Sequence, residues 1–215
     1  MKRGAIIVAS GRSRRMGFDK LLAELYGETV LAHSVRAFLN CTEVVVVTDD
    51  ERFTSLAGLN ENLVRVDGGA ERSDSVRAGL AALSDEIELV AIHDGARPLV
   101  GAKEIEECFQ RAAEGGAAAL ARRVTETLKK ADAAGTVCDS VNRENLWVME
   151  TPQVFRLKLL QKAYAEVEAK GAPVTDEVSA LQMIGWPVSL VENKLPNPKI
   201  TVSADLDMAR ALRPS

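Results

Sequence analysis

GAIIVASGRSRRMGFDKLL, residues 4–22, opens as an apolar run and breaks at Ser10 and Gly11 into a loop that crowds Arg12, Arg14, Arg15 and Lys20 against one acid, Asp19. The run is continuous rather than alternating, which is how a strand buried on both faces reads. The loop is self-repelling, so in a chain of formal net charge −4 it implies a small anion met locally. Two standard phosphate loops fail here. The dinucleotide pattern needs glycines where Ser13 and Met16 stand, and the Walker pattern needs Gly-Lys-Ser/Thr after four residues. Gly11 and Gly17 remain, and with the guanidinium and ammonium donors between and after them they suit a triphosphate.

The same strand signal recurs at 43–50, 63–69, 89–96 and 116–124, and helical patterns at 29–40, 73–84 and 103–116 lie between these runs. Strand, helix and strand in alternation predict an α/β, Rossmann-like fold: a mostly parallel sheet with helices on both faces. After residue 124 the rhythm changes. Residues 125–150 read as a protruding β-arm around the turn DAAG, followed by helices from 155–171 and 175–186, a strand at 187–193, the loop LPNP and a closing helix from Ser203.

A length of 215 residues without a Pro/Gly/Ser-rich linker favours a single domain. With 27 basic against 31 acidic side chains there is no general attraction for nucleic acid. Cys41, Cys108 and Cys138 form no C-x-x-C pair, which fits a reducing cytoplasm. The N-terminal apolar run is too short for a signal peptide or a membrane span, so neither is expected.

In sheets of this kind ligands bind beyond the carboxyl ends of the strands. Three further stretches fall there. HDGARP places Asp94 and Arg97 at one strand end, where the carboxylate suits a magnesium ion shared with phosphate oxygens or a salt bridge to Arg97. VDGGAERSDSVRAGL brings a glycine pair, Arg72 and Ser75 to another, either as exposed backbone groups with a base-reading hydroxyl or as a tight turn capped by Ser73. Lys199, in NPKITV, is a cation that structure alone does not explain.

Taken in order, AIIVASGRSRRMG, VDGGAERSDSVRAGL, HDGARP, VTETLKKAD, NRENLW, ETPQVFR, TDEVSALQ and NPKIT resemble the 2-C-methyl-D-erythritol 4-phosphate cytidylyltransferase family of the non-mevalonate isoprenoid pathway. The resemblance implies a nucleotide-diphospho-sugar-transferase-like fold and transfer of a cytidylyl group from CTP to the polyol phosphate, with pyrophosphate leaving. It implies Arg15, Lys20, Arg143 and Lys199 as catalytic cations. Ala9, Ser10, Gly11, Gly69, Ser75 and Ala96 would bind CTP, with Ser75 reading the cytosine. Asp94 would hold Mg2+ or another divalent cation, and Thr127, Arg143, Thr151, Thr175, Lys199 and Arg97 would bind the acceptor. It also implies a homodimer in which the arm packs on the partner subunit. The alternatives are ribitol 5-phosphate cytidylyltransferase, a molybdenum-cofactor nucleotidyltransferase, which the short GRSRRMGFDKLL start resembles, and an inactive CTP-binding module.

Overall fold

The structure, a computed structural model, describes residues 1–11 and 17–212. In chain order, β1 (Arg3–Val8) is followed by a small hairpin, β2 (Glu24–Leu25) and β3 (Glu28–Thr29), and by α1 (Val30–Arg36). Then come β4 (Glu43–Val47), α2 (Asp50–Thr54), β5 (Leu63–Val66), α3 (Arg72–Ala82), β6 (Leu89–Asp94), α4 (Ala102–Gly115) and β7 (Ala117–Arg123). The last third contains β8 (Lys129–Ala131), β9 (Val137–Ser140), β10 (Trp147–Arg156), α5 (Leu157–Lys170), α6 (Glu177–Met183), β11 (Ser189–Glu192) and α7 (Ser203–Ala211).

The main sheet runs β11-β7-β10-β6-β1-β4-β5. Its pairings are parallel except at β10, which is antiparallel to both β6 and β7. The expected α/β sheet is therefore present, with all five continuous apolar runs in it. Strands such as β1 and β4 contribute side chains to both faces: Ile7, Val44 and Val46 pack with α1 and α4 residues, whereas Ile6, Val45 and Val47 pack with α3 and α5 residues. Covering both faces in this way is what makes uninterrupted apolar strands stable in water. Gly116, at φ 88°, closes α4 as the glycine pair suggests.

Two features differ from the sequence reading. Residues 147–150, read with the arm, belong to β10, and the helix expected from Phe155 begins at Leu157 because Phe155 is a buried strand residue in the sheet. The polar stretch Glu150–Gln153 hid this strand. It lies at an irregularity between Met149 and Gln153 where strand pairing shifts, and the Thr151–Pro152 peptide is cis. A proline in a central strand is tolerated at such a bulge. The second feature is α2, which starts within the stretch read as the end of a strand, with Asp49 as its N-cap accepting from the Arg52 amide at 3.0 Å.

The arm is present as the exposed hairpin β8–β9, turning through Asp132–Thr136, where the Asp132 carboxylate accepts from the Ala134 and Thr136 amides. Among the described residues no helix is long and apolar enough to cross a membrane.

Candidate active site

A cleft of about 700 Å³ opens at the carboxyl ends of β1 and β6, between the β5–α3 loop and the segment that precedes α7. Ala9, Ser10, Gly11, Lys20, Gly69, Arg72, Asp94, Ala96, Lys199 and Thr201 line it. Residues far apart in sequence meet here because β1 lies beside β6 in the sheet, while the Ile200 amide donates to the Ala96 carbonyl at 2.8 Å and ties the late NPKIT stretch to HDGARP.

On one wall the backbone comes close. A Cβ on Gly68 would lie 2.2 Å from that of Ser10, and one on Gly69 would lie 2.1 Å from that of Asp74, so the glycine pair is required by contact. Beneath it Ser75 is buried. Its hydroxyl is 2.8 Å from Ser10 Oγ, accepts from the Gly69 amide at 3.2 Å and donates to the Glu71 carbonyl. Ser75 thus holds the wall in shape. The N-cap of α3 is Glu71, not Ser73, and the Asp74 carboxylate accepts from its amide at 3.1 Å.

At the floor the Asp94 carboxylate is 2.9 Å from Lys199 Nζ, 3.3 Å from Arg72 Nε and 3.6 Å from Arg97 Nε. Burial alone would raise its pKa, but the Arg72, Lys199 and Arg97 charges hold it well below the usual carboxylate range. Arg72 is itself fixed by a bidentate pair with Glu177, at 2.7 and 3.1 Å. Glu177 is fully buried and also accepts from Tyr164 Oη at 3.0 Å. Burial opposes the charge on Arg72, yet Glu177 and Asp94 raise its pKa above the ordinary arginine value.

Behind Asp94 the hydrogens have one arrangement. The Asp94 amide donates to Thr151 Oγ1 at 3.1 Å, and Thr151 Oγ1 lies 3.1 Å from His93 Nδ1. His93 Nε2 lies 3.1 Å from the Arg97 carbonyl, which can only accept. His93 therefore carries its proton on Nε2 and receives the Thr151 hydroxyl at Nδ1. Burial pushes its pKa down to about 4, outweighing the opposing pull of Asp94, and keeps it neutral.

The other predicted residues divide clearly. Arg97 sits behind the floor and donates through Nη1 to the Asn197 carbonyl at 2.7 Å. Thr151 is buried in the network just described. Thr127 and Arg143 are exposed on the arm and its return, where Arg143 Nη1 donates to the Thr125 carbonyl, and Thr175 is exposed just before α6. A single chain does not bring these three into the cleft lining. Arg15 lies outside the described residues. The N-cap of α6 is Asp176, which accepts from the Ser179 amide at 2.9 Å.

Sequence reasoning passed over Arg52, Tyr164 and the role of Glu177. For Glu177 a signal existed: a second acid directly after Asp176, at the start of a largely apolar helix. For Arg52 there was none, because its partners come from other elements.

The sequence model of the family described as 2-C-methyl-D-erythritol 4-phosphate cytidylyltransferase matches residues 4–213. The chain belongs to this family. It is 37% identical over 216 residues to the 2-C-methyl-D-erythritol 4-phosphate cytidylyltransferase of Parasynechococcus marenigrum, covering 96% of each chain. It is 38% identical over 219 residues to that of Desulforamulus reducens, covering 96% of this chain and 94% of the relative. Among solved structures, the Thermus thermophilus cytidylyltransferase superposes with a TM-score of 0.84 at 33% identity, covering 99% of this chain and 98% of the other. The Francisella tularensis one superposes with a TM-score of 0.85 at 30% identity, covering 99% and 100%. This cytidylyltransferase therefore shares nearly all of its length with these relatives.

Proposed function

We propose that the cleft binds CTP and that an acceptor phosphate, held beside Lys199, attacks its α-phosphate. As a family member the chain is a cytidylyltransferase that joins CTP to 2-C-methyl-D-erythritol 4-phosphate, giving 4-diphosphocytidyl-2-C-methyl-D-erythritol and pyrophosphate. The observation that carries the assignment of the site is the convergence of Lys20, Lys199 and an ionised Asp94 on one cleft whose wall is glycine backbone.

On this reading the backbone at Ala9, Ser10, Gly11, Gly69 and Ala96 meets the nucleotide, and Ser75 shapes the wall against which the base rests. Lys20, with Arg15, stabilises the charge that builds on the α-phosphate as the new P–O bond forms and the bond to pyrophosphate breaks. The attacking oxygen is already anionic, so no side chain has to remove a proton. Lys199 orients the acceptor near Asp94, and Arg97 supports Asp94 from behind the floor. Thr151 contributes through position, because its hydrogen is taken by His93 Nδ1 and a donated bond to the acceptor requires that hydrogen to turn.

A divalent cation fits this site through Asp94 alone. Among the described residues no three His, Cys, Asp or Glu side chains cluster as a metal cage. One ionised carboxylate completed by phosphate oxygens is the manner in which magnesium is ordinarily held with nucleotides. Bound there, the cation supplies charge neutralisation for the triphosphate.

Thr127, Arg143 and Thr175 complete the acceptor pocket in a homodimer whose arms cross, each chain forming one domain with its arm on the partner. Mixing an Arg143→Ala variant with a Lys20→Ala variant is then expected to restore activity in mixed dimers. Mixed dimers that stay as inactive as either parent would place Arg143 in its own subunit's site.

The reaction is tested by pyrophosphate release with CTP, magnesium and methylerythritol 4-phosphate, run beside ribitol 5-phosphate and beside GTP in place of CTP. Release with CTP and methylerythritol phosphate alone is expected. Release with ribitol phosphate instead would keep the chemistry and change the acceptor.

A further inference from the structure

The most deeply enclosed cation near the cleft is one that does not line it. Arg52, on α2, has a side chain only 7% exposed, and its guanidinium is divided among acceptors from three parts of the chain. Nη1 donates to the Ala9 carbonyl at 2.6 Å, Nη2 to the Gly11 carbonyl at 3.1 Å and Nε to Asp19 Oδ2 at 2.5 Å, with Asp49 Oδ2 3.6 Å from Nη1. Ala9 and Gly11 lead into the basic loop, and Asp19 closes it. One planar fork therefore grips the chain at Ala9, at Gly11 and at Asp19, which directly precedes the cleft residue Lys20.

Asp19 transmits the grip. While Oδ2 receives Arg52, Oδ1 accepts from the Leu21 amide at 3.0 Å, and the Asp19 carbonyl accepts from the Leu22 amide at 3.2 Å. Leu21 is buried, and its carbonyl accepts from the Leu31 amide. Lys20, between Asp19 and Leu21, thus has both backbone neighbours fixed, and its side chain lines the cleft. Its charge also reaches Asp205. There the hydrogen bond from the Thr201 hydroxyl is the main cause that lowers the carboxyl's pKa, and Lys20 adds to it. The bond from Arg52 to the Ala9 carbonyl has a second effect, since a guanidinium on that oxygen polarises the peptide whose N–H belongs to Ser10 at the cleft.

We infer that Arg52 is a positioning residue for cytidylyl transfer, acting through Asp19 to hold Lys20 at its working place and through Ala9 and Gly11 to hold the nucleotide loop. The inference rests on the role proposed for Lys20. A lysine at position 52 keeps the charge but, as a single point donor, cannot span three acceptors.

The test measures kcat, KM for each substrate and the melting temperature for Arg52→Lys and Asp19→Asn, each alone and combined with Lys20→Ala. Each single change is expected to lower kcat by about ten- to a hundredfold, the range for a catalytic group displaced by a fraction of an ångström to one ångström. KM for the acceptor stays unchanged. In the Lys20→Ala background Asp19→Asn costs nothing further, and Arg52→Lys costs less than in the parent enzyme, keeping only the part it exerts through Ala9 and Gly11. A loss as large in that background as in the parent enzyme would overturn the inference, because Arg52 would then act independently of Lys20. So would a lowered melting temperature with kcat intact below the transition. Asp19→Asn is isosteric and part-exposed, so it remains a valid test if Arg52→Lys does not fold. If Lys20→Ala alone leaves kcat unchanged, the role of Lys20 is wrong and the inference falls with it, an outcome read from that single variant.

Discussion

The cleft and the arm carry comparable numbers of charged side chains and use them in opposite ways. In and behind the cleft Asp94, Arg72, Glu177 and Arg52 each meet partners from another part of the chain at short range, and three of them are buried. In the arm, from Lys129 to Ser140, every residue is exposed, and Val137 presents 62% of its surface to water. The cleft is thus pre-shaped within one chain, whereas the described residues leave the arm uncovered. Such an edge is stable only if its cost is low or if something else covers it.

The sharpest way to break this contrast is at the cleft. Lys20→Ala is expected to lower kcat by about a hundred- to a thousandfold, the usual loss for a transition-state donor, with much less change in CTP affinity; calorimetric titration of CTP beside steady-state rates separates the two. Equal losses in both would assign Lys20 to ground-state binding.

Next, Glu177→Ala removes the bidentate partner of Arg72, leaving it Asp94 and partial contact with solvent, and is expected to destabilise the fold by about 2 kcal/mol, somewhat less than breaking a fully enclosed ion pair. Urea unfolding measures it. A change near zero would mean that solvent replaces the carboxylate without cost.

Acid offers a comparable lever. Because the folded pKa of His93 lies near 4 and an unfolded histidine titrates near 6.5, the unfolded chain takes up the proton first as pH falls. Stability from this group is complete above about pH 6.5 and declines toward pH 4 by about 3 kcal/mol. Asp94 acts in the same direction lower down: its folded pKa is depressed, so its contribution is present above the ordinary aspartate value and lost as pH falls below it. A His93→Gln variant is expected to flatten the upper part of the profile; an unchanged profile would place the titration elsewhere.

The smallest effect belongs to the arm. Val137→Ser is expected to shift single-chain stability by less than about 0.5 kcal/mol, while weakening self-association in sedimentation runs. A large loss of stability in dilute protein would show that the arm packs on its own chain.

The same contrast explains what could be read without coordinates. Strands such as β4 are legible because Val44, Val45, Val46 and Val47 are all buried among apolar neighbours, and the glycine wall is legible because close approach permits little else. β10 was missed because Glu150, Thr151 and Gln153 are buried polar residues whose partners are remote: Asn193 and Asn197 donate to Glu150, and Gln153 spans to Asp176 and the Val178 amide. A local window sees their polarity and not their satisfaction. Arg52 escaped for the same reason. Lys20 is visible as part of a self-repelling basic loop after a strand and Lys199 as an isolated cation in NPKITV, while the roles expected of both come from the family resemblance.

The position of β10 has a consequence for the order in which the molecule can be built. β6 and β7 follow one another closely in sequence but are separated in the sheet by β10, which the ribosome makes only after the arm. A nascent chain can lay down β5, β4, β1 and β6 as one block, yet β7 must wait with its edge open until residues 147–156 arrive. Emergence of the arm therefore precedes closure of the half-sheet that supports it, and Asp94 acquires Thr151, Glu177's arginine clamp and Lys199 only one after another, each from a segment made after the arm.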